Sequence, residues 1–186
     1  MDTAANIEAG RTKPNLRHYL LAVGFALLGG FLGILGAFVA EARSTVPFAL
    51  AFIGAPVVEE IVKPIGIYIF LIRWPGIILK QRYIAVLAAL SGLCFGLLES
   101  LVYVTIYVPD HSREFFIYRF TVTVLLHMAA SFIAGLGINA RLIDWANGEA
   151  AFPRRAAYAF GTAIGLHAAF NTTVVVLTLL GVLTLD

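Results

Sequence analysis

Charge is what this sequence has least of. Lysine, arginine, aspartate and glutamate make up 13% of 186 residues, where an ordinary globular domain carries about a quarter. With 60% hydrophobic residues and a mean hydropathy of +0.90, the chain has too little polar surface to fold as a soluble domain. Cysteine is nearly absent. Cys94 stands alone, which excludes an intrachain disulfide, and inside an apolar stretch it reads as a small packing residue. There is no internal repeat and no low-complexity segment. A strong charge of either sign is missing too: the net charge is +2. The basic residues cluster beside apolar segments as ordinary topogenic signals, which excludes nucleic acid as a partner.

What the chain does have is long apolar runs. Five stretches, at about 18–40, 47–72, 83–108, 115–140 and 157–182, approach or exceed the roughly 20 residues that span a bilayer at about 1.5 Å rise per residue. They predict an all-α polytopic transmembrane helix bundle of about five spans, a single integral membrane domain over residues 1–186. The chemistry-bearing helices fall in 47–182. The first stretch follows "GRTKPNLRH" without a small-residue cleavage site, so it reads as a retained helix rather than a signal peptide.

Nine basic residues (Arg11, Lys13, Arg17, Arg73, Lys80, Arg82, Arg141, Arg154 and Arg155) fall on one side of these spans, against Arg43, Arg113 and Arg119 on the other. The positive-inside rule places the N-terminus in the cytoplasm and the C-terminus outside. Trp74, Trp145, Tyr83 and Tyr158 lie at the inner ends of spans, and Tyr107 and Tyr118 at the outer ends, as interfacial belts. Arg119, Tyr118 and His111 are expected near the outer interface as anchors. Glycines recur at small-xxx-small spacing, as Gly29/Gly33, Gly92/Gly96 and Gly161/Gly165, which predicts close helix approaches.

The second stretch is the exception to its own hydropathy. "APVVEEIVKP", residues 55–64, sets Glu59, Glu60 and Lys63 in its middle. On the insertion scale its fourteen Leu, Ile, Phe and Val residues return about 7 kcal/mol, while three charged groups cost about 8–10. Alone it would insert poorly; it needs polar neighbours, protonation of a carboxylate or a water-filled cavity. The neighbours are present: Glu99 on the third span, His127 and Ser131 on the fourth, His167 and Asn171 on the fifth. Counted from the span ends, Glu60, Glu99, His127 and His167 reach a common depth of roughly 14–22 Å.

Spacing sharpens this picture. Glu59 and Lys63 are i,i+4 and share a helix face, while Glu60 is turned about 100° away. His127/Ser131 and His167/Asn171 are also i,i+4 pairs. Pro64 has no N–H for the Glu60 carbonyl and Pro56 none for that of Phe52, so the helix should kink here. A single membrane-embedded His or Asn is often packing glue, and Glu59–Lys63 could be a neutralised structural pair. Eight polar groups converging at one depth outweigh that reading. The "NTT" sequon at 171–173 lies within a span and carries no glycan.

Two carboxylates in a low-dielectric site can divide the roles of proton holder and base, a histidine can orient water or bind a metal, and Asn171 or Ser131 can donate to an oxyanion. The set suits water attack on an amide carbonyl. It also suits a catalytic zinc, although no HExxH motif is present.

"EEIVK" (Glu59, Glu60, Lys63), "FGLLE" (Phe95, Glu99) and "HMAAS" (His127, Ser131), in order on successive spans, resemble the EExxK, FxxxE and HxxxS motifs of PrsW-type intramembrane proteases. "HAAFN" (His167, Asn171) is similar to a further helix of the wider superfamily that includes the CAAX prenyl endopeptidases, bacteriocin-processing enzymes and a γ-secretase subunit. The resemblance implies an intramembrane endopeptidase of a prokaryotic cell membrane, making a site-one cut in a single-pass anti-sigma-factor-like protein. It assigns Glu59 and Glu60 to water activation, and Glu99 and His127 to the water or metal. His167 with Asn171 falls to the oxyanion or a further ligand, with Lys63 and Ser131 in support. Glu60, Glu99, His127 and His167 form the expected zinc set, with a metal-free glutamate mechanism as the alternative. Glu99 stands where the prenyl-protease branch carries histidine, which argues against a CAAX substrate. Few helices lie outside the motif-bearing core, so docking elements are reduced or come from a homo-oligomer. Two other classes compete: a small proton-coupled transporter, weakened by the lack of repeats and of a second broken helix, and a non-catalytic membrane scaffold.

Overall fold

The computed structural model describes residues 13–42, 54–77 and 79–181. Arg11, Arg43, the 47–53 part of the expected second span with Phe52, and the last residue of the fifth lie outside them. The described chain is all α: α1 (Leu16–Ala42), α2 (Ala55–Val62), α3 (Ile65–Arg73), α4 (Gln81–Val102), α5 (Arg113–Tyr118), α6 (Val124–Gly135), α7 (Ala140–Ala146) and α8 (Arg154–Leu179). A π-helical turn, Tyr103–Tyr107, extends α4, and a second, Arg119–Thr123, joins α5 to α6. Four continuous helical stretches are long and apolar enough to cross a membrane: Leu16–Val39, Gln81–Tyr107, Arg113–Gly135 and Arg154–Leu179.

The second expected span differs from a single kinked helix. It is divided into α2 and α3 at Lys63–Pro64, where Pro64 takes φ −81° and ψ 16°. The cause is local. Pro64 offers no N–H to the turn before it. Past the break, the N–H groups of Ile67 and Tyr68 both turn to the Pro64 carbonyl, at 2.9 and 3.2 Å. The Lys63 carbonyl, thereby released from the helix ladder, accepts the Ser91 hydroxyl of α4. Pro56 sits in the first described turn of α2, where a proline is well tolerated.

α4 packs most extensively on α6 and α1; α1 also covers α2 and α3, and α8 lies on α6 and α2. Small residues bring these backbones together. A Cβ at Gly66 would fall on the Phe25 carbonyl oxygen, and one at Gly29 would come within 2.9 Å of the Lys63 carbonyl. At Gly92 a Cβ would collide with the His127 carbonyl, and at Gly96 it would meet the His127 ring at 3.0 Å. The Gly161/Gly165 pair does not follow the same rule, since nothing among the described residues lies within 4 Å of either position. Those two glycines look outward from α8.

The inner end of the bundle is tied by apolar and polar contacts. Ala22, Ala26, Phe70, Ile84, Leu87 and Ile138 belong to one buried cluster. Trp74 packs edge-on to Phe25 at 5.6 Å, the Tyr83 hydroxyl donates to the Tyr19 carbonyl, and Gln81 Nε2 donates to the carbonyls of Gly135 and Ile138. These bonds close the α6–α7 turn onto the start of α4. The expected belt residues Trp74 and Tyr83 are therefore also packing residues.

Gly66→Ala should be the sharpest test of the α1–α3 approach, because the added methyl meets a backbone carbonyl rather than a movable side chain. Thermal unfolding in detergent should show a clear loss of stability, of a few kcal/mol by analogy with overpacked cores. Gly161→Ala should leave the melting temperature unchanged.

Candidate active site

The site is built around the break in the second span. Lys63, the last residue before Pro64, is fully buried, as is Glu60. Its ammonium donates to Glu60 Oε1 at 2.6 Å and to His127 Nδ1 at 2.8 Å, stands 3.3 Å from Glu59 Oε2, and lies 4.4 Å from the centre of the Phe95 ring. One cation thus joins α2, α4 and α6.

The proton positions on both imidazoles follow from these partners, since an ammonium only donates and a carboxylate only accepts. His127 Nδ1 accepts from Lys63, so its Nε2–H donates to Glu99 Oε2 at 2.9 Å. His167 Nδ1–H donates to Glu60 Oε1 at 2.9 Å. That leaves His167 Nε2 as an acceptor, 3.9 Å from Glu59 Oε2, a buried oxygen whose neighbouring cation is the Lys63 ammonium at 3.3 Å. The His127 and His167 rings meet edge to face, 5.0 Å between centroids and 88° between planes.

Glu59, Glu60, Lys63, Glu99, His127 and His167 are brought together as expected. Ser131 lies one turn after His127, buried, with its Oγ unpartnered. Asn171 is half-buried one turn after His167 and its side chain makes no hydrogen bond among the described residues, so it stands outside the network.

Arg119 is the residue missed. Rather than anchoring at the outer interface it is 8% exposed, its Nη2 donates to Glu99 Oε2 at 2.8 Å, and its guanidinium lies over the Tyr103 ring at 3.8 Å. Eight residues of ideal helix would leave Arg119 about 80° away from the face of His127. The intervening π turn absorbs one extra residue and reduces that offset to about 20°. A signal was present: Arg119 is the one basic residue in 115–140, and Glu99 had no cation assigned to it. Tyr118, also expected at the outer interface, stacks on Phe170 of α8 at 6.4 Å between ring centroids.

A buried carboxylate–imidazole centre inside a bundle of membrane-length helices defines a multi-pass membrane protein with a polar centre in its interior. The family model for PrsW family intramembrane metalloproteases matches residues 17–185, and the chain belongs to that family. No curated protein and no solved structure matches it.

The family implies a metal, and the donors present fit one. Glu59, His127 and His167 each offer a ligand atom, all within 4.8 Å of one another. Metal-binding histidines usually give their other ring nitrogen to a carboxylate, as His167 does to Glu60 and His127 to Glu99. Three carboxyl groups also face two cationic side chains, Lys63 and Arg119. This donor set differs from the expected one. Glu59 takes part in place of Glu60 and Glu99, because its oxygen and one ring nitrogen of each histidine lie within 4.8 Å of one another. Lys63 uses His127 Nδ1, so an ion held by all three would require the ammonium to turn from that nitrogen.

Lys63→Met should destabilise the protein by about 3–5 kcal/mol, the usual cost of stripping one partner from a buried ion pair. Adding Glu60→Gln should recover part of that loss, because the uncompensated charge is then gone. Thermal unfolding of the single and double variants in detergent measures both effects.

Proposed function

We propose that this protein is an endopeptidase that makes a site-one cut in a single-pass membrane protein of the anti-sigma-factor kind, within a prokaryotic cell membrane. The single observation that carries the proposal is the convergence of Glu59, His127 and His167, whose ligand atoms lie within 4.8 Å of one another while each imidazole is held by a further carboxylate. This arrangement supports a cation site, and zinc is the ion that a buried Glu/His/His set suits. When bound, zinc supplies Lewis-acid charge to a peptide carbonyl and to water.

The chain's own residues divide the remaining work. Glu60 and Glu99 orient His167 and His127 through Oε1 and Oε2 respectively. Glu60 Oε2, buried and unpartnered, is the oxygen left to accept a proton from water. The free Ser131 hydroxyl, and the Asn171 amide once substrate is present, are the donors for a developing oxyanion. Lys63 offsets the carboxylates, which lowers the cost of holding them in the membrane interior. The helix break matters to the reaction because it puts a non-helical backbone segment and its released carbonyl beside this centre, where protein covers them. The His167/Asn171 helix supports placing the chain in the wider superfamily with the CAAX proteases, while Glu99 points away from a prenylated substrate. The asymmetry of basic residues supports a cytoplasmic N-terminus. The open Gly161/Gly165 face of α8 leaves room for a transmembrane substrate or a second copy.

The test is cleavage of a co-expressed single-pass reporter, together with elemental analysis of the purified protein. Glu60→Gln and His167→Ala should each lower cleavage at least about 100-fold while the protein still accumulates in membranes. Wild type should carry about one zinc per chain, and His167→Ala should lose it. Full cleavage in both variants would refute the peptidase reading, and an active, zinc-free wild type would refute the metal.

A further inference from the structure

Arg119 belongs to none of the motifs that carry the chemistry, yet it terminates their hydrogen-bond chain. The chain runs from Lys63 to His127 Nδ1, from His127 Nε2 to Glu99 Oε2, and from that same oxygen to Arg119 Nη2. A single carboxylate oxygen is thus shared by the imidazole and the guanidinium.

Arg119 is itself clamped to the helix that bears Glu99. Its carbonyl accepts the Ser100 hydroxyl at 2.8 Å, and its guanidinium lies on Tyr103. Glu99, Ser100 and Tyr103 therefore present one continuous surface to one arginine. The π turn Arg119–Thr123 puts Arg119 on the His127 side of its span.

We propose that Arg119 is a positioning residue. It holds Glu99 at the one place where the carboxylate pins the His127 Nε2–H, so that Nδ1 stays turned to the Lys63 ammonium. A carboxylate with a single imidazole partner can rotate about its own side chain, and the Glu99 side chain is 17% exposed, so it has somewhere to turn. With the guanidinium on the same oxygen, rotation breaks two charge-assisted bonds instead of one. The geometry thereby fixes from the Nε2 side the same His127 tautomer that Lys63 favours from the Nδ1 side. The alternative is an ion pair that only staples α4 to the fourth span, and it leaves the imidazole indifferent to Arg119.

Nitrogen NMR of ring-labelled histidine in the detergent-solubilised full chain distinguishes the two, with His18, His111, His127 and His167 assigned by single substitution. Wild type should show His127 as one tautomer with the proton on Nε2. Arg119→Met should convert it to a mixture, and Arg119→Lys, which keeps a cation but loses the planar fork, should fall between them. His167, tied to Glu60 instead, should not change. If Arg119→Met does not fold, the comparison of wild type with Arg119→Lys carries the test. An unchanged His127 signal in the folded variants overturns the proposal, and so does an equal change at His167, which would mean general loosening. The kinetic arm rests on the peptidase reading: with the reporter, kcat should fall about 10–100-fold with KM unchanged. A fall in kcat with an unaltered His127 also overturns the proposal. If wild type cleaves nothing, the peptidase reading fails by itself and the tautomer still decides the role of Arg119.

Discussion

A lysine ammonium with no access to solvent organises this molecule. Lys63 has only protein to solvate it, and in a medium of low dielectric constant an unpartnered charge is among the most costly things a chain can bury. Its partners therefore have to be in place: Glu60 and Glu59 on its own helix, His127 across the bundle and the face of Phe95 between them. Each of these binds a further group, so that His167 and Glu99, and through Glu99 the guanidinium of Arg119, become parts of one network. The Pro64 break gives Lys63 a second function, since its released carbonyl is held by Ser91. Backbone and side chain of one residue thus fasten three helices.

Such a network requires short distances between helix axes, and small residues provide them. Gly29 and Gly66 bring α1 against the broken span, and Gly92 and Gly96 let the His127 turn approach α4. In lipid, where apolar side chains gain little by leaving one another for the bilayer, close backbone approach and polar bonds between helices supply the cohesion. The same contacts leave a few buried polar atoms without a hydrogen-bond partner among the described residues: Glu59 Oε2, Glu60 Oε2, Ser131 Oγ, Arg119 Nε and Thr123 Oγ1.

The helices themselves were legible from hydropathy, and the convergence of Glu60, Glu99, His127 and His167 from residue depth, because a bilayer of given thickness leaves few ways to arrange long apolar runs. Three features were not legible in that way. Arg119 looked interfacial because an ideal 3.6-residue period turns it from His127, and only the π turn restores the alignment. The donor set looked like Glu60 and Glu99 with the histidines because depth does not reveal which carboxylate converges with both imidazoles. The Gly161/Gly165 pair had the spacing of an interface, yet it faces no neighbour, since periodicity identifies a smooth face without saying what lies against it.

What the amino-acid sequence determined by itself was the solvent, four of the five expected long apolar segments, the weak point at Pro64 and the residue types gathered near one level. These follow from composition and spacing along a single chain. Tertiary structure alone decided which nitrogen of each histidine is engaged, which glutamate keeps a free oxygen and which cation faces Glu99. Those outcomes depend on distances of about 3 Å between helices far apart in sequence, where one residue of helical register moves a side chain by about 100°.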